Sequence, residues 1–295
     1  MKHIPPEPMD RTTEGAASKD CLDSNWNAGQ SDAVNRFFDA ASATWSDYYE
    51  GHADTLSHLD LTVRLHVATT MLQEACKEAR DPIALLDAGC GTGEGTSQLS
   101  GMQLKAFAVD LSAAMVGKAV RRYTYLEGCA ANAVQLPFVD NVFDIILSLG
   151  TLEYISPCDL AVKEFRRVLK PGGTLICSIP NRASWFRRLD LVERKLTRPL
   201  RRMRARLRGV GVEAAGLIQT FQHQSWTLSE VERLLGGCNF ELAAAKLITY
   251  GWLLPIAESW RANLALCRWM NIYCRDKEWL ARRLACTTVL CARAV

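Results

Sequence analysis

Three glycines stand at alternate positions in one short segment, Gly89, Gly91 and Gly93, directly after the apolar run Ile83–Ala88. Glycine allows the backbone to turn tightly and lets a ligand approach without a Cβ in the way. Where such a turn joins a strand to a helix in an open α/β sheet, it lies at the edge where ligands bind. The segment therefore predicts a ligand-binding loop.

Two carboxylates flank this loop and indicate which ligand it suits. Asp87 precedes the turn, where its charge would repel a pyrophosphate but attract a cationic or ammonium-bearing ligand. Asp110 follows the next apolar run, and a carboxylate there can accept hydrogen bonds from two ribose hydroxyls. Glu94 stands where the dinucleotide spacing G-x-G-x-x-G needs its third glycine. The residues therefore favour a cationic nucleoside over a dinucleotide.

The surrounding pattern predicts the elements that would position these residues. Short apolar runs alternate with helical patterns, which is typical of a parallel sheet covered by helices on both faces. The expected strands are 83–88, 104–109, 142–149, 174–179, 240–248 and 286–292, and the expected helices are 31–45, 59–79, 94–100, 112–122 and 158–169.

The composition excludes several classes of protein. Of the 295 residues, 48% are hydrophobic and 23% are charged, so a large core can form, and only the polar residues 1–30 are expected to be disordered. The 11 cysteines include no Cys-x-x-Cys pair and no zinc spacing, so we expect no metal, reduced thiols and a cytoplasmic location. No charge-free apolar stretch approaches the roughly 20 residues that span a bilayer.

Four segments, in order, resemble the motifs of class I S-adenosyl-L-methionine (SAM)-dependent methyltransferases. They are Leu86-Asp-Ala-Gly-Cys-Gly-Thr-Gly93, Val109-Asp-Leu-Ser-x-x-Met115, Ala131-Asn-Ala-Val-Gln-Leu-Pro-Phe138 with Asp140-Asn-Val-Phe-Asp144, and Phe165-Arg-Arg-Val-Leu-Lys-Pro-Gly-Gly173. The resemblance is closest to the small-molecule branch (methyltransferase type 11) that includes the ubiquinone and menaquinone methyltransferases. It implies a Rossmann-like, doubly wound α/β fold with a seven-stranded, mostly parallel sheet. We expect one domain over 31–295, with helical cap insertions at 182–226 and 251–283.

The resemblance also implies SAM as the cofactor, S-adenosyl-L-homocysteine (SAH) as its product, and a set of binding residues. These are Tyr48, Asp87, Gly89, Gly91, Gly93, Asp110, Leu111, Met115, Asn132, Ala133 and Leu149. Asp110 would hold the ribose, and Leu111 and Met115 would pack against the adenine, although plain core packing is an alternative for both. Asn132 replaces the usual Asp of this branch, and its amide oxygen can still accept the hydrogen bond of the adenine amino group.

Three residues are candidates for the catalytic step. A sulfonium is already an activated leaving group, so methyl transfer depends mainly on alignment of the acceptor and exclusion of water. A general base still adds roughly 10²–10⁴ in rate for a hydroxyl acceptor. Glu153 and Tyr154 follow the expected strand 142–149, and His223 lies just before a helix start marked by the capping box Thr227 to Glu230. Each of the three has an alternative role in packing or hydrogen bonding.

The two insertions differ in character. Residues 182–208 contain eleven Lys or Arg against Asp190 and Glu193, with an apolar stripe led by Trp185 and Phe186. Such a helix suits an anionic membrane surface, while a solvated cover over the acceptor and a phosphate-binding segment are alternatives. Residues 252–279 contain four of the eight tryptophans and are expected either to roof the acceptor cavity or to form a satellite core.

These observations predict a SAM-dependent methyltransferase acting on a small or medium lipophilic acceptor. A quinone or isoprenoid precursor or a secondary metabolite is favoured, as is O-methylation. Two alternatives remain: a tRNA or other RNA methyltransferase using the arginine-rich segment, and a non-catalytic SAM-binding subunit at a membrane. The net charge of only +3 argues against nucleic acid as the partner, and no pattern indicates an oligomeric state.

Overall fold

One seven-stranded sheet organises the chain. The computed structural model describes residues 28–49, 55–78, 82–97, 104–189, 192, 223–251, 261–274 and 277–295. Its strands are β1 (Ile83–Ala88), β2 (Leu104–Asp110), β3 (Leu126–Ala130), β4 (Phe143–Ser148), β5 (Leu169–Pro180), β6 (Phe240–Ile248) and β7 (Thr287–Ala294). They lie in the order β3-β2-β1-β4-β5-β7-β6, with β1 to β5 parallel and β7 antiparallel to both neighbours. The predicted fold class is confirmed.

Helices cover the sheet and supply its connections. In the described ranges they are α1 (Ala28–Ala41), α2 (Leu56–Glu78), α3 (Glu94–Ser97), α4 (Ala113–Arg122), α5 (Cys158–Val168), α6 (Leu228–Gly237), α7 (Arg261–Tyr273) and α8 (Glu278–Leu284). Short 3₁₀ helices cover Trp45–Tyr48 and Leu152–Tyr154. The predicted capping box is formed: the Thr227 side chain accepts from the Glu230 backbone, and the Glu230 side chain accepts from Thr227.

Both faces of the central strands are buried, which explains their continuous apolar runs. Leu86 and Ile146 pack with α5 and α6 on one face. Leu85 and Ile145, one position earlier in the same strands, pack with α2 and α4 on the other. Successive side chains of a strand point to opposite faces, so β1 and β4 link two halves of the core. These two strands hold the loops at their carboxyl ends in fixed positions.

Strand β3 has no counterpart among the runs expected from apolar pattern. It lies at the edge of the sheet, and four of its five residues, from Glu127 to Ala130, are exposed. An edge strand with little burial needs no apolar side chains, so hydrophobicity gives no signal for it. Its parallel pairing with β2 fixes the position of the segment that follows, at Ala131 to Ala133.

The aromatic insertion forms a separate cluster in its described part. Helices α7 and α8 bury Met270, Cys274 and Ala281 together with Tyr250. None of their described residues lines either of the cavities described below, so this part of the segment forms a satellite core, while the roof over the acceptor stays a prediction. The remaining residues of this insertion, 252–260 and 275–276, and residues 190–191 and 193–222 of the basic one, lie outside the described ranges.

Two chemical expectations can be compared with the structure. The described cysteines are all free thiols, and most of them are buried. Within the described ranges, none of the helices combines the length and the apolar character needed to cross a bilayer.

Candidate functional site

A cleft of about 1100 Å³, counted with its open mouth, lies at the carboxyl ends of β1, β2 and β4. The sheet order reverses between β1 and β4, and this switch point is where open α/β sheets bind ligands. We call it the glycine cleft. Its strand-end lining consists of Asp87, Gly89, Cys90, Gly91, Asp110, Leu111, Ser112, Ala131, Asn132, Ala133, Leu149, Gly150 and Thr151.

The loop after β1 requires glycine for two physical reasons. Gly89 has a φ of +81°, which L side chains rarely adopt, and a Cβ there would lie 2.0 Å from Thr151 Oγ1. Gly91 has a φ of +53°, and a Cβ there would lie 3.3 Å from the indole nitrogen of Trp45. Gly93 does not line the cleft, because it faces the ring of Tyr123 instead. The first two glycines therefore keep the floor of the cleft clear.

Asp110 fastens this loop to the end of β2. Its two carboxylate oxygens accept the backbone N–H groups of Gly91 at 3.0 Å and Ser112 at 2.9 Å. A carboxylate offers about four acceptor positions, so each oxygen can still accept a further hydrogen bond. An ionised Asp110 at the cleft wall can therefore hold a pair of ligand hydroxyls.

Three carboxyl groups give the glycine cleft an anionic character. Burial, the largest cause, and the nearby Asp110 and Glu94 carboxylates together raise the pKa of Asp87 to about 8. Burial also raises the pKa of Asp110. Oδ2 of Asp87 is buried and has no hydrogen-bond partner within the described ranges. A ligand that carries positive charge would relieve this repulsion and supply the missing partner.

A single arginine on α2 lines the opposite wall. Arg64 forms an ion pair with Asp60 one helical turn earlier, and its Nε is buried without a hydrogen-bond partner among the described residues. A carboxylate on the ligand could accept from this Nε–H. The cleft thus offers acidic groups on the strand side and a guanidinium on the helix side, which matches an amino acid moiety with both charges.

A second cavity of about 930 Å³, again including open solvent, adjoins the glycine cleft. We call it the polar cavity. The two share Trp45, Leu61, Arg64 and Tyr154. The rest of its lining consists of Ser57, Asp60, Glu153, Ser178, Ile179, Pro180, Arg187, His223 and Thr287.

The structure brings the three candidate catalytic residues together around this cavity. The rings of Tyr154 and His223 lie edge to face with centroids 4.8 Å apart. The Glu153 carbonyl accepts the backbone N–H of Gln224 at 2.8 Å, which holds His223 beside the loop after β4. Burial raises the pKa of Glu153, and its Oε2 has no hydrogen-bond partner among the described residues. A buried carboxyl of this kind can take up a proton.

Most of the predicted cofactor residues line the glycine cleft. Those that do are Asp87, Gly89, Gly91, Asp110, Leu111, Asn132, Ala133 and Leu149. Met115 is fully buried and does not line the cleft, which agrees with the alternative of plain core packing. The Tyr48 side chain lies outside the described part of the structure. The Asn132 amide oxygen accepts the Val134 N–H at 3.2 Å, so it shapes the turn at the cleft as well as facing it.

Several lining residues were not predicted from the sequence. They are Ser31, Val34, Asn35, Phe38, Trp45, Leu61, Arg64, Leu65 and Thr151. Most lie on α1, the first 3₁₀ helix and α2, which precede the glycine loop and carry no motif. The one available signal was Asp60 with Arg64, an oppositely charged pair at helical i,i+4 spacing among apolar residues. Within the described ranges, no group of three His, Cys, Asp or Glu side chains could hold a metal ion.

Comparisons with known proteins agree with this geometry. Residues 86–177 match a family model described as a methyltransferase domain. The chain is 33% identical over 107 residues to a probable S-adenosylmethionine-dependent methyltransferase of Mycobacterium tuberculosis. The aligned region covers 36% of this chain and 38% of that relative. It is 32% identical over 107 residues to the demethylmenaquinone methyltransferase of Beutenbergia cavernae, 36% of this chain and 45% of that protein. The chain thus spans less than half the length of these relatives.

The whole described fold has a counterpart among solved structures. The crystal structure of magnesium protoporphyrin IX methyltransferase from Synechocystis PCC 6803 with bound SAH superposes over 90% of this chain and all of that chain, with a TM-score of 0.58. At 14% identity this likeness shows the fold alone. Together with the family match, it confirms the resemblance to SAM-dependent methyltransferases drawn from the sequence motifs.

Proposed function

We propose that this chain, which carries a methyltransferase domain of the SAM-dependent family over residues 86–177, transfers the methyl group of SAM to a small-molecule acceptor. The observation that carries the proposal is the buried carboxyl oxygen of Asp87 beside the glycine loop, which has no hydrogen-bond partner among the described residues and lies in a cleft with two further carboxyl groups. This site suits the positive charges of SAM and opposes the phosphates of a dinucleotide. The residues present therefore fit this cofactor.

Different lining residues of the glycine cleft would contact different parts of SAM. Asp110 would accept from the ribose hydroxyls, and Asn132 with Ala133 would meet the adenine edge. Asp87 and the loop at Gly89 would face the ammonium group, and Arg64 would hold the carboxylate through its free Nε–H. Bound in this way, SAM supplies an electrophilic methyl group on a sulfonium whose departure leaves neutral SAH.

The polar cavity is the place for the acceptor. Its wall formed by Trp45 and Tyr154 is shared with the glycine cleft, so a molecule there lies beside the methyl donor. For a hydroxyl acceptor, an ionised Glu153 would take the proton as the oxygen attacks the methyl group, because burial raises the pKa of this carboxyl and so makes its carboxylate a stronger base. His223 and Tyr154 would orient the acceptor and exclude water. This arrangement supports O-methylation.

The acceptor class is inferred from the side chains that line the polar cavity. Ile179, Pro180 and the shared Trp45 and Leu61 give it apolar walls, which suit a flat, partly lipophilic molecule. A quinone precursor, an isoprenoid precursor or a secondary metabolite has this character. The similarity to a demethylmenaquinone methyltransferase supports the first of these.

Methyl-labelled SAM incubated with fractionated cell extract tests the proposal. We expect label in a small-molecule fraction with wild-type protein and much less with Asp110→Ala at the same SAM concentration. Label in RNA that ribonuclease releases would favour an RNA acceptor instead. SAM binding without transfer to any fraction would favour a non-catalytic subunit.

A peripheral membrane location is a further part of the proposal. Trp185, Leu189 and Val192, on the helical segment after β5, are 57%, 47% and 56% exposed beside Arg182 and Arg188. An exposed apolar stripe flanked by arginines suits an anionic membrane surface. Sedimentation with anionic vesicles tests this: we expect binding that falls with salt and with Trp185→Ser. Equal sedimentation with neutral vesicles, or none with anionic ones, would contradict it.

A further inference from the structure

We propose that the acceptor is an organic acid whose carboxylate is held by Arg187 in the polar cavity. The inference rests on the proposed function, because it names the substrate class of the same site. It adds an anchoring residue outside the matched methyltransferase domain, on the segment that follows β5.

Arg187 is placed as a fixed, charged donor in the cavity wall. Its backbone N–H donates to Ser184 Oγ at 3.4 Å, and the buried Ser184 hydroxyl donates to the Leu284 carbonyl at 3.0 Å. The residue is half-buried, and no described residue forms a hydrogen bond with its guanidinium. The backbone of Arg187 is therefore tied through Ser184 to the end of α8, and no described residue occupies the five N–H donors of its guanidinium.

The other charges of the polar cavity do not satisfy Arg187. Asp60 is already paired with Arg64, and it accepts from Thr287 Oγ1 at 2.8 Å. Glu153 is the remaining acid beside Arg187; burial raises its pKa and the charges of Arg64 and Arg187 lower it, but no hydrogen bond joins it to Arg187 within the described ranges. A half-buried guanidinium without a hydrogen-bonded acid among the described residues is stabilised by a planar anion, which it binds through two parallel hydrogen bonds.

A second polar donor lies in the same cavity. Ser178 Oγ accepts the Gly150 N–H at 2.8 Å, which leaves its own hydrogen to be donated to a ligand. The cavity also contains the carboxyl groups of Asp60 and Glu153. Because these oppose additional negative charge, a singly charged carboxylate fits better than a doubly charged phosphate. The apolar walls then suit the rest of the molecule, so the expected acceptor is a flat amphiphilic acid.

Titration of the SAH-loaded chain with 2-naphthoate and its neutral isostere 2-naphthamide tests this assignment. We expect wild type to bind the acid at least tenfold more tightly than the amide. Arg187→Gln should remove this preference by weakening the acid and leaving the amide unchanged. Arg187→Lys should bind the acid with intermediate affinity, because lysine keeps the positive charge but cannot form the two parallel hydrogen bonds of a guanidinium. Arg233→Gln, which changes an exposed arginine on α6 that lines neither cavity, is the matched control and should behave as wild type.

The outcomes separate this inference from the proposed function. SAH affinity is measured for each variant and should equal that of wild type. Failure of wild type to bind SAH would overturn the proposed function itself. SAH binding together with equal affinity for acid and amide, or with no binding of either, would overturn only the carboxylate anchor. Tighter binding of 2-naphthyl phosphate than of 2-naphthoate would also overturn the choice of a carboxylate.

Discussion

Asp87 shows how one side chain can report on the ligand of the glycine cleft. Burial raises its pKa to about 8, with Asp110 and Glu94 contributing in the same direction, so the carboxyl is mostly protonated at neutral pH. A cation bound beside it favours the ionised form and lowers its pKa. Binding of SAM should therefore release a proton at pH values between the lowered and the raised pKa.

The affinity for SAM should depend on pH through Asp87. Below about pH 8 we expect the association constant to rise by up to about tenfold per pH unit, and above it to level off, because the group is then already ionised. Asp87→Asn should bind weakly at every pH and show no such slope. Calorimetric titration with SAM across this range measures both. An affinity that falls as pH rises would contradict the assignment.

Removal of the Asp110 carboxylate should weaken SAM binding directly. Asp110→Ala loses the acceptor for the ribose and for the Gly91 and Ser112 backbone N–H groups, and we expect a loss of about 1–3 kcal/mol in binding free energy. Asp159→Ala, which changes a carboxylate on α5 away from both cavities, should leave the affinity unchanged. Equal affinities of the two variants for SAM would refute the ribose role.

His223 should affect turnover and not cofactor binding. It lines the polar cavity but not the glycine cleft, so His223→Ala should lower the rate of methyl transfer by about 10- to 100-fold through poorer acceptor alignment. The SAM dissociation constant should stay at its wild-type value. His66→Ala, an exposed histidine on α2, is the matched control. A parallel loss of transfer and SAM affinity would indicate a structural role instead.

The site residues that the sequence predicted are those within contiguous motifs. Asp87, Gly89 and Asp110 follow strands directly, so their place at the sheet edge comes from the strand pattern alone. Arg64 and Arg187 reach the site from α2 and from the segment after β5, across long stretches of chain. Only tertiary packing brings these two arginines to the site, and no local spacing in the sequence predicts their positions.

At the scale of elements, the turn between β1 and α3 is the most constrained connection. Gly89 and Cys90 donate their backbone N–H groups to the Val109 carbonyl at 2.7 and 3.0 Å, so the turn is fastened to β2. Thr151, after β4, occupies the space that a side chain at position 89 would need. Three strand ends therefore meet at this one glycine.

Alanine substitutions at Gly172 and Gly89 distinguish the cost of backbone strain from the cost of a steric clash. Gly172 has a φ of +75° with nothing within 4 Å of an added Cβ, so Gly172→Ala should cost about 1–2 kcal/mol in unfolding free energy. Gly89→Ala adds a clash with Thr151 to the same strain, a further cost of about 1–3 kcal/mol, and should also weaken SAM binding. Urea unfolding and SAM titration measure the two effects. Equal destabilisation with unchanged SAM affinity would contradict the close contact.

The elements differ in how well the sequence predicts them. Buried strands such as β1 and β4 have continuous apolar runs because both faces are covered, and the pattern predicts them closely. The edge strand β3 is mostly exposed and carries no such signal. The described part of the aromatic segment is helical as expected, but Trp269 and Trp279 are 54% and 67% exposed, so their tryptophan identity does not indicate burial.

At the scale of the whole molecule, one topological feature explains the location of the function. The order β3-β2-β1-β4-β5-β7-β6 diverges on either side of the β1–β4 pair, and the loops that leave these two strands open a crevice. The alternation of strands and helices predicts such a crevice. It does not predict which charges line the adjoining polar cavity, because those come from segments far apart in the sequence.

Calorimetric titration of the wild-type chain with SAM, SAH and NAD tests the assignment of the glycine cleft most directly. We expect one molecule of SAM or SAH to bind per chain and NAD to produce no binding heat, because the cleft has three carboxyl groups where a pyrophosphate would lie. Binding of NAD, with no binding of either SAM or SAH, would contradict the assignment.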